Sequence, residues 1–435
     1  MRPLLVAMTA TLAAAAELAL VRGCGDNRDV AVGDVDADGF EDVVMPCKVS
    51  GLVMVAFGDA NATFARRHVL GQAPYARSVA VGRVGGQLIV AVGASVPGVL
   101  FPSATEPRPL ALGSTVFKAT SPAVQRCKSH RKRASSQVHI YRRRKAAWTA
   151  EVARSLDMTN WIGVADVDGD GKNELVTVAQ KKNAVEIFRP AKGWQASRAT
   201  FPTDTKPRFL HAALVAHILD NHTRPQLLLL SNKIAPVLVV DPTQKQTEGY
   251  RLETRGHLGA RDACAADMDG DGRLDVVAAY KFLDAVLWYK NFGNGTFGPP
   301  QEVCPRKRTA PSDERSDASR RPGCARKALC PGAAATPLGD AGTCRYACGL
   351  ACQDFDGDGR VDVAVVAKEE PHLSVFFQRG AGFVRVDEPF AANNTRACAV
   401  AAFSRGLNGS AATLAYAARG EAASFGIVTV ASPPF

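Results

Sequence analysis

The chain has 435 residues, of which 46% are hydrophobic and 22% are charged, and its formal net charge is +11. This composition is that of an ordinary globular protein and excludes a wholly disordered chain. The positive charge is concentrated in two segments: residues 103–150 hold eleven Lys and Arg against one acid, and residues 305–347 hold nine against four. Because the remainder is slightly acidic, we expect no nucleic-acid partner for the fold as a whole.

The first 20 residues have the pattern of a secretory signal peptide. Arg2 supplies a positive start, Leu4–Ala16 is apolar, and its last residues are small enough for cleavage. The alternative is an ordinary first strand or helix. No other apolar run reaches the ~18 residues of a membrane span, so the sequence predicts a secreted or cell-surface protein without a span. Five glycosylation sequons agree with export and begin at Asn61, Asn221, Asn294, Asn393 and Asn408.

An acidic loop occurs four times along the chain. Each copy has Asp at positions 1, 3 and 5, Gly at position 6 and an acid at position 9, and an apolar, β-type run follows it. At positions 1, 3, 5, 7 and 9 the copies have Asp34, Asp36, Asp38, Phe40 and Asp42; Asp166, Asp168, Asp170, Lys172 and Glu174; Asp267, Asp269, Asp271, Arg273 and Asp275; Asp354, Asp356, Asp358, Arg360 and Asp362.

This spacing predicts about four Ca²⁺ sites. Calcium takes six to eight oxygen ligands, and carboxylates at positions 1, 3, 5 and 9 converge when the chain curls tightly around them. Glycine at position 6 permits the turn, and position 7 offers its backbone carbonyl. The alternative is a solvated Asp-Gly turn between two strands. An EF-hand is disfavoured because position 12 is Met45, Thr177, Ala278 or Val365 instead of Glu.

Between the acidic loops, three degenerate copies of the same unit retain a polar turn followed by an apolar run. They lie near residues 83, 217 and 403 and bring the number of units to seven. The two oversized steps between units contain the basic segments, so we interpret 103–136 and 305–347 as insertions. Four short strands in about 50 residues, repeated seven times, predict an all-β, seven-bladed β-propeller over residues 21–435.

The 11 cysteines suit an oxidising compartment. Six of them crowd in or near the second basic segment, which predicts a disulfide-stapled insertion: Cys304, Cys324, Cys330, Cys344, Cys348 and Cys352. The alternative is a zinc site, because the last three are spaced four residues apart.

The acidic loops, together with the strand end Trp288–Asn291 and the turn Gly293–Phe297, resemble FG-GAP/VCBS repeats. These repeats build the calcium-binding, seven-bladed propeller of integrin α-subunit heads. The resemblance spans the chain from about Val21 onward, is specific in four units and is eroded in three. It implies a binding or adhesion platform with calcium as a structural ion. The two basic insertions depart from the family pattern.

These features predict a non-catalytic propeller that binds a protein or a glycan. The alternative is a carbohydrate-active enzyme, similar to a polysaccharide lyase, which requires clustered His, Lys, Tyr or Arg outside the acidic loops. The eight His are scattered, and no nucleophile motif accompanies them. A third hypothesis assigns polyanion binding to the basic clusters Arg131–Arg133 and Arg142–Lys145, whose simpler interpretation is a solvated insertion.

Overall fold

A computed structural model describes residues 27–61, 63–95, 136–144, 147–190, 193–201, 209–245, 247–252, 259–304, 344–380, 382–390, 396–404, 412–419 and 425–433. The predicted signal peptide, two sequon asparagines (Asn393 and Asn408) and most of both predicted insertions lie outside these ranges. Ser136 begins a strand of the second sheet and Ala347 begins a strand of the sixth, so both residues belong to the folded framework.

The described residues form seven antiparallel sheets, each built from consecutive strands. The first three blades contain β1 (Ala31–Gly33), β2 (Asp42–Pro46), β3 (Leu52–Ala56) and β4 (Arg67–Gln72); β5 (Ala76–Val84), β6 (Gln87–Ser95), β7 (Ser136–Arg144) and β8 (Ala147–Ser155); β9 (Thr159–Ala165), β10 (Glu174–Ala179), β11 (Ala184–Arg189) and β12 (Gln195–Arg198).

The remaining four blades complete the ring. They contain β13 (Leu210–Ala216), β14 (Gln226–Ser231), β15 (Val237–Val240) and β16 (Glu248–Arg251); β17 (Ala260–Ala266), β18 (Asp275–Tyr280), β19 (Ala285–Tyr289) and β20 (Gln301–Cys304); β21 (Ala347–Gln353), β22 (Asp362–Ala367), β23 (His372–Arg379) and β24 (Gly382–Pro389); β25 (Arg396–Ala402), β26 (Ala412–Arg419) and β27 (Phe425–Val430). The predicted all-β, seven-bladed propeller is confirmed; the seventh blade has three described strands where the sequence predicted four.

The apolar runs after the loops become the second strand of each blade. Every residue of β10, β14, β18 and β22 is buried, because a neighbouring strand pairs on each edge and a neighbouring blade covers each face. Such strands are continuously apolar, without the alternation of a half-exposed strand. The outermost strand β12, by contrast, is exposed along its whole length. The one helix in the described ranges is the 3₁₀ turn Gln180–Lys182, and no helix there has the length and apolarity to cross a bilayer.

The ring closes where the seventh blade packs against the first. The innermost strands contact one another in the order β1, β5, β9, β13, β17, β21 and β25, and β25 contacts β1. Phe64 of the first blade meets Phe403 of the seventh edge to face at 5.7 Å between ring centroids. Phe425 and Ile427 extend this core. Closure therefore buries both faces of every blade.

Six of the seven innermost strands have a register shift near their first residue. In each, one extra residue is inserted opposite the paired strand, as in a β-bulge. The inserted residues are Arg77, Asn160, His211, Arg261, Cys348 and Cys398. The acidic loops follow the other end of these innermost strands, so the bulges and the loops lie on opposite faces of the ring.

Two disulfides join the cysteine-rich region to the framework. Cys264 of β17 bonds to Cys352 of β21, and Cys304 of β20 bonds to Cys344. The second bond closes the predicted insertion, as a stapled segment requires, whereas Cys324 and Cys330 lie outside the described residues. The zinc alternative over Cys344, Cys348 and Cys352 is wrong, because two of the three sulfurs belong to different disulfides.

His139 of β7 generates a pH-dependent prediction. The side chain is buried at 7% exposure, and desolvation lowers its pKa to about 4 from an ordinary 6.5. Between these values the unfolded chain binds a proton that the folded chain does not, so stability falls as the pH falls. We expect the unfolding free energy of His139→Phe to drop about 2 kcal/mol less than that of the wild type between about pH 7 and about pH 4.5.

Chemical denaturation of both proteins at each pH measures this difference, because titrations common to both cancel. Parallel curves over the whole range would contradict a neutral, buried His139.

Candidate metal centres in the four acidic loops

The four acidic loops join the first and second strands of blades one, three, five and six, on one face of the ring. In each loop, three carboxylates place one oxygen apiece within 4.8 Å of one another. Positions 1, 3 and 9 form this cluster in three loops: Asp34, Asp36 and Asp42; Asp166, Asp168 and Glu174; Asp354, Asp356 and Asp362. In the loop of the fifth blade positions 1, 3 and 5 form it: Asp267, Asp269 and Asp271.

The carboxylate at position 1 organises the turn. In the fifth blade Asp267 accepts hydrogen bonds from the N–H groups of Gly270 at 2.8 Å, Asp271 at 3.1 Å and Gly272 at 2.8 Å. Gly272, at position 6, has a φ of 85°, which explains the glycine there. Asp271 then accepts from the N–H of Arg273 at 3.0 Å. The loop therefore holds its curl through its own backbone.

The hydrogen bond from the N–H at position 7 to the carboxylate at position 5 recurs in the other three loops. The carboxylates at position 5 accept the N–H of the residue at position 7, which is Phe40, Lys172 or Arg360. The structure brings position 5 into a three-carboxylate cluster in the fifth blade. The predicted calcium contact of the position 7 carbonyl, and of position 5 elsewhere, stays a prediction.

The acid at position 9 is a buried clip between the loop and the blade. Asp362 accepts from the N–H groups of Phe355 at 2.9 Å and Gln378 at 2.8 Å, and Asp42 is bound in the same way. In the fifth blade Asp275 accepts from the N–H of Asn291. Burial raises the pKa of Asp42 and Asp362 to about 6.

The fourth blade shows that this clip does not require a charge. Gln226 occupies the equivalent place, and its Oε1 accepts from the N–H groups of Ile218 at 2.7 Å and Leu219 at 2.8 Å. Its loop keeps a single carboxylate, Asp220, which pairs with Arg273 Nε at 2.7 Å. In the second blade Gly85 and Gly86 join β5 directly to β6, so the described chain has no acidic loop there.

In two of the loops, those of the first and sixth blades, the carboxylate at position 3 is turned into the loop. The side chains of Asp36 and Asp356 are 4% and 1% exposed. Asp36 Oδ1 and Asp168 Oδ1 are buried and accept no hydrogen bond from the described residues. An unsatisfied buried carboxylate oxygen is costly. These oxygens, and the hard-oxygen donor set around them, fit a bound cation such as Ca²⁺.

Each cluster also contacts at least one basic side chain, which the sequence analysis missed; Asp36 contacts Arg143 as well, and Asp271 contacts Arg273. Arg66 Nη2 lies 2.5 Å from Asp36, and Arg189 Nη2 lies 2.5 Å from Asp168. In the other two loops the contacts are from Lys290 to Asp269 and Asp271, and from Arg379 to Asp356 and Asp358.

A sequence signal for three of these partners exists. Arg189, Lys290 and Arg379 each lie at the end of the third strand of their blade, 21, 21 and 23 residues after the position 3 aspartate. The interval reflects the hairpin that returns the third strand to the loop face. These basic side chains balance the carboxylates electrostatically and would compete with a metal ion for them.

No family model and no curated protein sequence matches this chain. Among solved structures it is similar to BBS1N, which was determined in complex with ARL6DN and soaked with lead; the TM-score is 0.50 and the identity 10%, with 94% of each chain covered. A protein from Lactobacillus plantarum aligns with a TM-score of 0.45 and 11% identity over 87% of this chain and 92% of that chain. At 10% identity the likeness to BBS1N shows the propeller fold alone.

Glu174 allows the clip to be separated from the charge. Glu174 Oε2 accepts from the N–H of Val167 at 3.1 Å. Glu174→Gln recreates the arrangement that Gln226 has in the fourth blade, so we expect its unfolding free energy in chelator to stay within about 1 kcal/mol of the wild type. Glu174→Leu leaves the Val167 N–H buried without its acceptor and should cost about 1–3 kcal/mol.

Denaturant unfolding in chelator compares the two variants without any contribution from ions. Equal losses for both would show that Glu174 acts through its charge and not as a hydrogen-bond acceptor.

Proposed function

We propose that this chain is a calcium-stabilised binding or adhesion propeller that acts outside the cell, is not an enzyme, and recognises a protein or a glycan. The observation that carries the proposal is the inward-turned carboxylate at position 3 in two of the acidic loops, with two further carboxylate oxygens within 4.8 Å. The resemblance of these loops to FG-GAP/VCBS repeats supports calcium as the ion. The two disulfides support an oxidising compartment.

The residues that would hold the ions are the three-carboxylate clusters described above. A divalent cation there would neutralise acids that otherwise repel one another and would satisfy the orphaned oxygens of Asp36 and Asp168. Its role in this proposal is structural, since the loops lie on the face opposite the bulges and tie the first strand of a blade to its second.

The face where the innermost strands begin has the features of a recognition surface. Tyr75, Phe209 and Phe282 are 41%, 50% and 54% exposed. Tyr75, Phe209 and Tyr346 each stand immediately before an innermost strand with a positive φ of 54°, 54° and 64°. Such backbone strain in non-glycine residues concentrates at functional sites. Exposed aromatic side chains of this kind bind proteins and stack on sugars.

Lysines lie over these rings. Lys233 Nζ is 4.3 Å from the centroid of Phe209, and Lys281 Nζ is 4.4 Å from that of Phe282 and 4.2 Å from that of Tyr346. The pairs add positive charge to an aromatic surface. The combination favours an acidic protein segment or an anionic glycan as the ligand.

The second candidate function is a carbohydrate-active enzyme, the alternative raised by the sequence. The observation that favours it is the gathering of His211, Arg261 and Tyr346 around one cavity on this same face. Turnover of an anionic polysaccharide, followed as the release of reducing ends, would support the enzyme. Binding of the polysaccharide without turnover would support the non-catalytic proposal.

Removal of one metal cluster tests the calcium assignment. We expect about 1–5 mM calcium to raise the melting temperature of the wild type relative to chelator, because an ion bound only by the native state stabilises it. The double variant Asp267→Asn with Asp269→Asn should show a rise smaller by about a quarter, as one of four equal sites is lost. Differential scanning calorimetry measures both.

The matched control is Glu248→Gln with Glu302→Gln, which removes two charges from exposed outer-strand positions and should keep the full calcium response. A melting temperature of the wild type that is identical in calcium and in chelator would overturn calcium as a structural ion.

Lys290 gives an independent prediction about competition for the same carboxylates. Lys290 Nζ contacts Asp269 and lies 3.0 Å from Asp271. Lys290→Met should melt below the wild type in chelator, since these acids lose their counter-charge, and should show a larger rise with calcium, since the competing ammonium is gone. Lys182→Met, at an exposed site away from the loops, is the control, and an unchanged calcium rise in Lys290→Met would contradict competition.

A further inference from the structure

A cavity of about 310 Å³ lies on the propeller axis, on the face opposite the acidic loops. Its lining includes residues of all seven blades, which places it at the mouth of the central channel. The volume is at the lower end of the range for small-molecule sites. None of the candidate calcium ligands contributes to it.

The bulges position the lining. Arg77, Asn160, His211, Arg261, Cys348 and Cys398, the inserted residues of six innermost strands, all line this cavity. Arg28, just before β1, completes the ring from the first blade. Arg28, Asn160, Arg261 and Cys348 lie six residues before the first aspartate of the four acidic loops. One position of the repeat therefore supplies every side chain of the ring. The residue type at this position varies from blade to blade, whereas the four acidic loops keep the same pattern of acids and glycine.

The charge of the cavity is positive. Its cations are Arg28 and Arg77 from neighbouring blades, and Arg261 and Lys368 from the opposite side of the ring. Its two acids, Asp29 and Asp262, are each bound by two backbone N–H groups and serve as clips. Asp29 reaches the N–H of Val79 in the next blade at 2.8 Å, and Asp262 that of Leu350 at 2.9 Å.

His211 and Arg261 each bring to the cavity a buried hydrogen-bond donor without an acceptor among the described residues. Arg261 Nη1 contacts His211 Nε2, and a guanidinium is only a donor, so Nε2 accepts and the proton of the neutral imidazole is on Nδ1. His211 Nδ1 and Arg261 Nε are both buried without a hydrogen-bond partner in the described part of the chain. Both groups need an acceptor, and neighbouring cations make an anionic acceptor the favourable one.

The thiol of Cys348 adds no charge to the ring. Cys348 Sγ donates to the carbonyl of Tyr346 at 3.2 Å, and its contact with Cys398, together with burial, raises the pKa of the Cys348 thiol well above its usual range. The guanidinium groups on the remaining ring positions therefore determine what the cavity attracts.

We propose that the channel mouth is a binding site for a small oxyanion with at least two negative charges, held between the arginines of blades one and two and Arg261 with Lys368 on the far side. Arg261 Nε and His211 Nδ1 donate to its oxygens, and the second charged group lies toward Arg28 and Arg77. Phosphate and carboxylate groups share this chemistry. The site does not depend on calcium in the loops of the opposite face.

Titration calorimetry with inorganic pyrophosphate and with tricarballylate, without added calcium, tests the site and distinguishes phosphate from carboxylate ligands. Acetate at equal ionic strength is the ligand control. We expect saturable binding of at least one probe by the wild type. Arg261→Gln should weaken it about ten-fold or more, because a charge-assisted hydrogen bond is lost. Arg154→Gln removes an equal charge from the exposed outer strand β8 and should change it less than about two-fold.

If Arg261→Gln does not fold, as judged by circular dichroism, Arg77→Gln replaces it with the same expectation. Failure of the folded wild type to bind either probe would overturn the proposal. Equal weakening by Arg154→Gln and the cavity variants would also overturn it, since it would indicate attraction by net charge alone.

Discussion

The rest of this structure depends on the need of each blade to cover two apolar faces. The middle strands are buried throughout, as β10, β14, β18 and β22 show, and a four-stranded sheet cannot shield both of its faces by itself. Each blade therefore requires a neighbour on both sides, and the contact of Phe64 with Phe403 is where the last requirement is met. With every face used for packing, the only backbone that can vary without exposing core is in the connections at the two ends of the ring. The acidic clusters and their basic partners accordingly lie at one end, and the exposed aromatic rings and the arginine-lined cavity lie at the other.

The acidic loops show how a repeated motif divides its work between folding and ion binding. Position 9 is occupied in all four loops by a buried acid that accepts backbone N–H groups, and Gln226 does this without charge in a loop whose one remaining acid is Asp220. The clip is thus a requirement of the fold, whereas the position 3 carboxylates of Asp36 and Asp168 each have one buried oxygen that accepts no hydrogen bond from the described residues. Burial raises the pKa of Glu174 to about 7, and the neighbouring charge of Asp168 adds to the rise. A basic side chain in each cluster offsets part of this repulsion.

The seven units and their second strands could be predicted from the sequence because the acidic motif and the apolar run after it are local patterns. The basic partners Arg189, Lys290 and Arg379 were missed because their signal is not local: the register of the third strand brings them to the loops from 21 to 23 residues away. The ring of bulge residues was hidden for a different reason. An inserted residue breaks the alternation by which strand side chains are assigned to a face, so Arg77 or His211 reads as an ordinary strand position. The polarity of that ring becomes visible only once four residue types, Arg, Asn, His and Cys, are seen at one repeat position.

The disulfide between Cys304 and Cys344 has a consequence for the covalent integrity of the molecule. All of residues 305–343 lie between its two half-cystines, and the bond from Cys264 to Cys352 brackets the same stretch. A protease that cuts anywhere in this stretch divides the polypeptide into two fragments without releasing either one. The nicked molecule would migrate as a single species on a non-reducing gel and as two bands after reduction. This stretch is rich in arginine and lysine, the residues after which trypsin-like enzymes cleave. A cut there would leave the blades joined covalently through the disulfides.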